Sequence, residues 1–204
     1  MNFPGEDIQE LVSEIAAILR RRGETLAVSE AACGGLISAA LVLVPGASNF
    51  YIGGKLVYSL KQRLKLSGWS ETDIQNYMGP SQQVALKLAR TAKYELGATY
   101  VLSETGFAGP SKDLHLNNQN SDAEVGTVYL GLTGPNVQVS TEKKTGELER
   151  SKNMTSFAKL GLEFLLTQLR LQDEKESKEI KDEKNGKDGK DEKDEKEEKE
   201  SKDE

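Results

Sequence analysis

The sequence has one cysteine, Cys33, in 204 residues, so no intramolecular disulfide can form and a reducing compartment is expected. Its one histidine, His115, lies in the polar run LHLNNQNSD with no companion histidine or cysteine cluster. Neither a metal site nor a histidine-based triad is expected from it. Long apolar runs are missing too. The longest, LISAALVLVPGA, is interrupted by Pro45 and falls short of the roughly 20 residues that span a bilayer. The opening MNFPGEDIQELV is acidic and amphipathic, not basic and then apolar as in a secretory signal. These absences predict a soluble, cytoplasmic or nuclear protein with no membrane partner.

An excess of positive charge is the last thing lacking. Of 27 basic and 33 acidic residues, ten lysines and sixteen acids lie between Asp173 and Glu204. The whole formal charge of −6 therefore resides in that tail, and the body is neutral. A neutral body offers no general electrostatic grip on nucleic acid, which is not an expected partner. From Lys175 the tail repeats lysine at every third position, ten times, with almost nothing apolar to bury. Such a segment cannot offset its own ordering entropy, so 173–204 is expected to be a disordered, solubilising tail. Glu192 with Lys196 and Glu195 with Lys199 give only transient helical support.

Within residues 1–172 the pattern alternates between helix and strand. Ile8, Leu11, Ile15, Ile18 and Leu19 keep helical spacing up to Gly23, and TLAVSE reads as a buried strand. GGLISAALVLV is a helix, VPGASNFYIGG a loop, KLVYS a strand and LKQRLKL a short helix. Ser70 is an N-cap candidate, and SQQVALKLARTAKYELG is an amphipathic helix stopped by Gly97. TYVLSETG is a strand leading into a turn-rich loop. VGTVYLGLTG and NVQVSTEKK form an antiparallel hairpin about Gly134-Pro135, and a long helix with Phe157, Leu160, Phe164 and Leu165 inward closes the body. The fold class predicted is a layered α/β domain with a largely parallel sheet plus an antiparallel hairpin.

One stretch raises a chemical question. VSEAACGGLISAAL runs from a strand through Gly34 and Gly35 into a helix. The first amides of such a helix have no partner within it, and glycine permits close approach. An anionic group or a developing oxyanion suits that place, yet Ala31 and Ala32 stand where a nucleophile would be sought. Ser48 in the loop, Tyr58 at the end of KLVYS, and Thr105 and Gly106 in ETGFAGP add further strand-end and loop candidates. In open α/β sheets ligands gather at the carboxyl ends of strands.

SEAACGG, VPGASNFYIGGKLVYS, ETGFAGP and VGTVYLGL, in this order and spacing, resemble the C-terminal domain of the CinA family, the nicotinamide-nucleotide amidohydrolases. The resemblance covers roughly residues 8 to 170. It implies hydrolysis of the amide of nicotinamide mononucleotide to nicotinic acid mononucleotide and ammonia, by a serine assisted by lysine and tyrosine, without a cofactor. It also implies self-association, so a homodimer is expected. Some bacterial members carry a separate N-terminal domain ahead of this one. The family block Glu-Ser-Cys-Thr-Gly-Gly reads here Glu30, Ala31, Ala32, Cys33, Gly34 and Gly35. Its serine is therefore Ala31, its threonine Cys33, and its lysine, five residues after the tyrosine, is Arg63. Tyr58, Ser48 and Thr105 are retained. Two arginines of the family's last helix fall at Leu148 and Lys152.

Alanine forms no acyl intermediate, and arginine does not serve as a base near neutral pH. Lys61 and Lys65 sit two residues either side of Arg63 on a helix and are expected to point elsewhere. Ser29 lies about 6.6 Å back along the strand from position 31, too far for a simple swap. The sequence thus predicts a divergent family member that binds a nicotinamide nucleotide or similar phosphorylated ligand with its amidohydrolase chemistry lost. One alternative is retained turnover, with Cys33 activated at the helix N-terminus or a water held by Ser48 and Tyr58. The other is an interaction protein with an inherited pocket.

Overall fold

The structure is a computed structural model and describes residues 4–110 and 124–200. Its first helix, α1 (Glu6–Arg22), follows the apolar spacing of the sequence and ends where Gly23 turns left-handed. It is followed by β1 (Leu26–Glu30), α2 (Leu36–Val42) and a short 3-10 turn at Ala47–Asn49. Next come β2 (Tyr51–Leu56), α3 (Leu60–Leu66), α4 (Glu71–Gln75) and α5 (Gln82–Leu96). The chain continues with β3 (Tyr100–Gly106), β4 (Thr127–Gly134), β5 (Val137–Lys144) and α6 (Arg150–Glu200). Ser70 caps α4 in a reciprocal capping box with Asp73, and Ser81 caps α5.

The five strands form one sheet in the order β2-β1-β3-β4-β5. β1 pairs in parallel with β2 and β3, whereas β3–β4 and β4–β5 are antiparallel. Half the pairings are thus antiparallel, more than the single hairpin expected. The register explains why: Gly106 faces Val128, so β4 begins beside the end of β3 and needs no crossover. The β4–β5 hairpin forms as expected, with Pro135 and Asn136 as its turn residues, one position beyond the expected Gly134-Pro135 pair.

Strand alternation sorts side chains onto two faces. Ala27 and Val101 pack with Ala89, Ala92 and Ala98, which places α5 on one face. Ser103 Oγ donates to the Ala85 carbonyl at 2.5 Å on that face, and Gly131 is required there because a Cβ would stand 2.7 Å from the Ala85 backbone. On the other face, Gly161 of α6 lies against Ile37, Leu102 and Leu130. Since α2 and α5 cover opposite faces, the chain leaves β1 for β2 on one side and returns to β3 on the other. The carboxyl ends of β1 and β3 therefore open a crevice between diverging connections.

β2 differs from the expected strand. It occupies Tyr51–Leu56, not KLVYS, and takes in Gly53 and Gly54, which the composition assigns to a loop. Gly54 is needed for close pairing, because a Cβ there would lie 2.7 Å from the Val28 side chain. Tyr58 consequently sits beyond the strand, at the approach to α3.

By their internal contacts, residues up to Leu166 form one unit and Thr167 onwards another. α6 extends to Glu200 and so carries helix into the lysine-rich segment for which the composition predicts disorder. The remainder of the expected tail, 201–204, lies outside the described residues, as does His115. We propose that the helix there is transient, since its sequence supports it only through local charge pairs. Limited trypsin digestion is expected to cut first at the lysines beyond Lys175 and to leave the body resistant. Equal survival of tail and body sites would show a persistent helix instead. No helix among the described residues is long and apolar enough to cross a membrane.

Candidate functional site

The crevice holds a cavity of about 750 Å³ at the carboxyl ends of β1, β2 and β3. Ala31 and Ala32 from the turn after β1 line it, as do Tyr58 and Ser59 between β2 and α3, Thr105 and Gly106 at the end of β3, and Phe107 to Pro110 beyond it. Lys61, Arg63, Tyr77 and Arg150 complete most of its wall. Of the residues predicted from sequence, the fold brings Ala31, Tyr58, Arg63, Thr105 and Gly106 together here. Glu30, Cys33, Gly34, Gly35 and Ser48 do not line it.

Glu30 explains part of that division. Its carboxylate turns under the start of α2 and accepts from the amides of Gly35 (3.0 Å), Ile37 (3.1 Å) and Ser38 (2.8 Å), and from Ser38 Oγ (2.5 Å). The amides expected to face an anionic ligand are therefore occupied by the chain's own carboxylate. Gly34 and Gly35, at φ 66° and 102°, permit the left-handed turn that brings them there. Ser48, in the 3-10 turn, is exposed and away from the cavity.

A second buried carboxylate lies beside the first. Glu104 Oε1 accepts from the amides of Ala31 (2.6 Å) and Cys33 (2.8 Å), while its Oε2 is buried without a partner. Burial pushes this carboxyl up to about 7, against the pull of those amides, and the Glu30 charge adds to the rise. Cys33 is fully buried in the same place. Burial, and then the charges of Glu104 and Glu30, push its thiol well above its ordinary range. The activation expected of a helix N-terminus is thus reversed. Cys33 precedes α2 by three residues and faces two carboxylates, not a field of free amides. Ser29 is buried as well and does not line the cavity.

Arg63, 4% exposed, is held by α3 against the cavity wall. Its Nε donates to the Val57 carbonyl (3.3 Å), Nη1 to Tyr77 Oη (2.8 Å) and Nη2 to Thr105 Oγ1 (3.0 Å). The guanidinium carbon also lies 5.6 Å from the Trp69 ring centre and 5.1 Å from that of Tyr77. Trp69 and Tyr77 come from the segment around α4, so Arg63 ties that segment to the sheet.

Arg150, half-buried at the start of α6, was not singled out by sequence. Its Nη1 donates to the Gly109 carbonyl at 2.7 Å and its Nη2 to Tyr58 Oη at 3.0 Å. Neither Leu148 nor Lys152, the positions implied by resemblance, lines the cavity. Lys152 instead pairs with Glu149 at 2.9 Å. Lys61 also departs from expectation, because α3 begins at the rim and even its outward side chains border the opening. Lys65 does not line it.

A five-stranded sheet flanked by helices, with a cationic cavity at its parallel strand ends beside a glycine turn, defines the layered α/β class of domain. Within that class, the chain belongs to the CinA C-terminal domain family, whose profile matches residues 8–169. It is 36% identical over 148 residues to a CinA-like protein of Myxococcus xanthus, covering 72% of this chain and 34% of that protein. It is 34% identical over 149 residues to a putative competence-damage inducible protein of Halothermothrix orenii, covering 73% and 35% respectively. The chain thus spans about a third of the length of these curated relatives. Its fold superposes with a TM-score of 0.73 on the crystal structure of the competence/damage inducible protein CihA from Agrobacterium tumefaciens. Identity there is 27%, over 83% of this chain and 99% of that one. A CinA superfamily protein from Enterobacter cloacae shares the fold at a TM-score of 0.71 and 21% identity, over 79% of this chain and 92% of that one.

Proposed function

We propose that the cavity binds a nicotinamide nucleotide or a similar phosphorylated ligand, and that amide hydrolysis has been lost from it. The observation that carries this reading is Ala31 lining a cavity with three cationic side chains, Lys61, Arg63 and Arg150, and no carboxylate among the described lining residues. Its volume of about 750 Å³ suits a mononucleotide. The surplus of positive charge favours a phosphate. Catalysis lacks three parts. Ala31 has no nucleophile, Arg63 is no base, and the Ala31 and Cys33 amides already donate to Glu104, which removes two natural oxyanion donors. Cys33, buried and held as a thiol, gives no support to the retained-turnover alternative.

The test is to mix the purified chain with nicotinamide mononucleotide, following ammonia release alongside calorimetric titration. Saturable binding without ammonia is expected. Ammonia release that scales with protein would overturn the loss of hydrolysis, and no heat of binding would overturn the ligand reading.

A further inference from the structure

Arg63 carries a charge whose compensation within the protein is incomplete. A guanidinium has five N–H donors, and Arg63 places three of them, one each from Nε, Nη1 and Nη2. One N–H on each terminal nitrogen remains. Each of its partners among the described residues is neutral: a carbonyl, two hydroxyls and two aromatic rings. No carboxylate lies within ion-pair distance among the described residues. A nearly buried cation with only neutral partners carries an unbalanced desolvation penalty, which an anion brought by a ligand would relieve.

Among the described residues, the acids of the neighbouring strand ends, Glu104 and Glu30, point away. Thr105 and Glu104 are consecutive on β3 and therefore project to opposite faces. Thr105 meets Arg63, while Glu104 is held beneath the turn at Ala31 and Cys33. Glu30 is likewise drawn under α2 by its own bonds. The sheet thus separates the acids from the cation, and the cavity side of Arg63 is left to whatever enters.

We infer that Arg63 makes this cavity selective for a planar carboxylate over the corresponding carboxamide, so that the site takes the acid form of a pyridine nucleotide in preference to the amide. This rests on the nucleotide-binding reading above and narrows it. A carboxylate accepts at both oxygens and matches two parallel guanidinium N–H groups. A carboxamide accepts at one oxygen only, and its NH₂ would set donor against donor at the second N–H. The Ala31 methyl offers no hydroxyl to satisfy either form, so discrimination falls to Arg63. A domain built this way would retain the acid that an amidohydrolase releases.

Calorimetric titration of the full chain with nicotinic acid mononucleotide and with nicotinamide mononucleotide, in the same buffer, tests this. The acid is expected to bind about 10- to 100-fold more tightly, the range of a charge-assisted bond. Arg63→Lys keeps the charge but not the planar fork and is expected to bring the two affinities within about threefold. Retained binding of the amide by that variant checks that the cavity still forms. Equal affinities in the wild type overturn the inference and leave the nucleotide reading standing. Failure of both nucleotides to bind overturns the two together. A preference for the acid that survives in Arg63→Lys shows that charge alone discriminates and overturns the role given to the planar fork of Arg63.

Discussion

Glu30→Ala is expected to destabilise the body by about 3–5 kcal/mol, a large share of the stability of a domain this size. Three amides at the entry to α2 and the Ser38 hydroxyl lose one shared acceptor. α2 has only seven residues, too few to persist without its cap. Water can reach the Gly35 and Ser38 amides, which are only partly buried, but the Ile37 amide is enclosed. The loss is tempered because Glu30 also raises the neighbouring Glu104, so removing its charge relieves Glu104. Ser38 Oγ, still bonded by Tyr51 Oη at 2.8 Å, holds part of the turn. Glu30→Gln retains an acceptor of the same shape and should lose roughly half as much. Urea unfolding midpoints of the three proteins supply the comparison. A loss below about 1 kcal/mol for Glu30→Ala would mean that water replaces the carboxylate and that it is not the cap described here.

The contrast between these carboxylates and the rest of the fold shows what a single sequence reveals. α1 and α5 were legible because apolar residues recur at helical spacing up to Gly23 and Gly97, which then take the left-handed conformation. β1 and β3 were legible as short apolar runs between turns. β2 was displaced by several residues because Gly53 and Gly54 resemble loop residues, and the closeness of Val28 that requires Gly54 is visible only in the fold. The strand-end rule placed Ala31, Tyr58 and Thr105 at one cavity. It said nothing about Glu30 turning inward, since the same acid could face a ligand or cap its own helix. The acid in TYVLSETG was a usable signal, being a lone carboxylate within an otherwise uncharged strand. Arg150 had no local signal at all, because it meets Tyr58 across 92 residues of chain.

Glu104 makes the folded protein lose stability as pH rises, the reverse of the usual effect of carboxylates. Its carboxyl stands near 7 in the folded state against 4.5 ordinarily, so the folded protein holds the proton more tightly than the unfolded chain. The neutral form's stability is fully present below about 4.5. It declines as pH climbs from there to about 7 and is level above, where both states are ionised. The span corresponds to about 3 kcal/mol, an order-of-magnitude figure. Glu104→Gln keeps an oxygen for the Ala31 and Cys33 amides but cannot ionise. The variant should be the more stable protein above pH 7, by about 1–3 kcal/mol, with the advantage shrinking toward pH 4.5. Other acids titrate in this range, so the difference between wild type and variant is the quantity to follow, by urea midpoints at half-unit steps of pH. Parallel profiles would show that Glu104 is ionised throughout, and that its unpartnered oxygen is solvated. A converging pair would confirm a buried proton directly beneath the turn that forms the cavity floor. The Ala31 and Cys33 amides favour the ionised form, so their two bonds should tighten locally as Glu104 ionises, while the burial of the charge costs the fold as a whole.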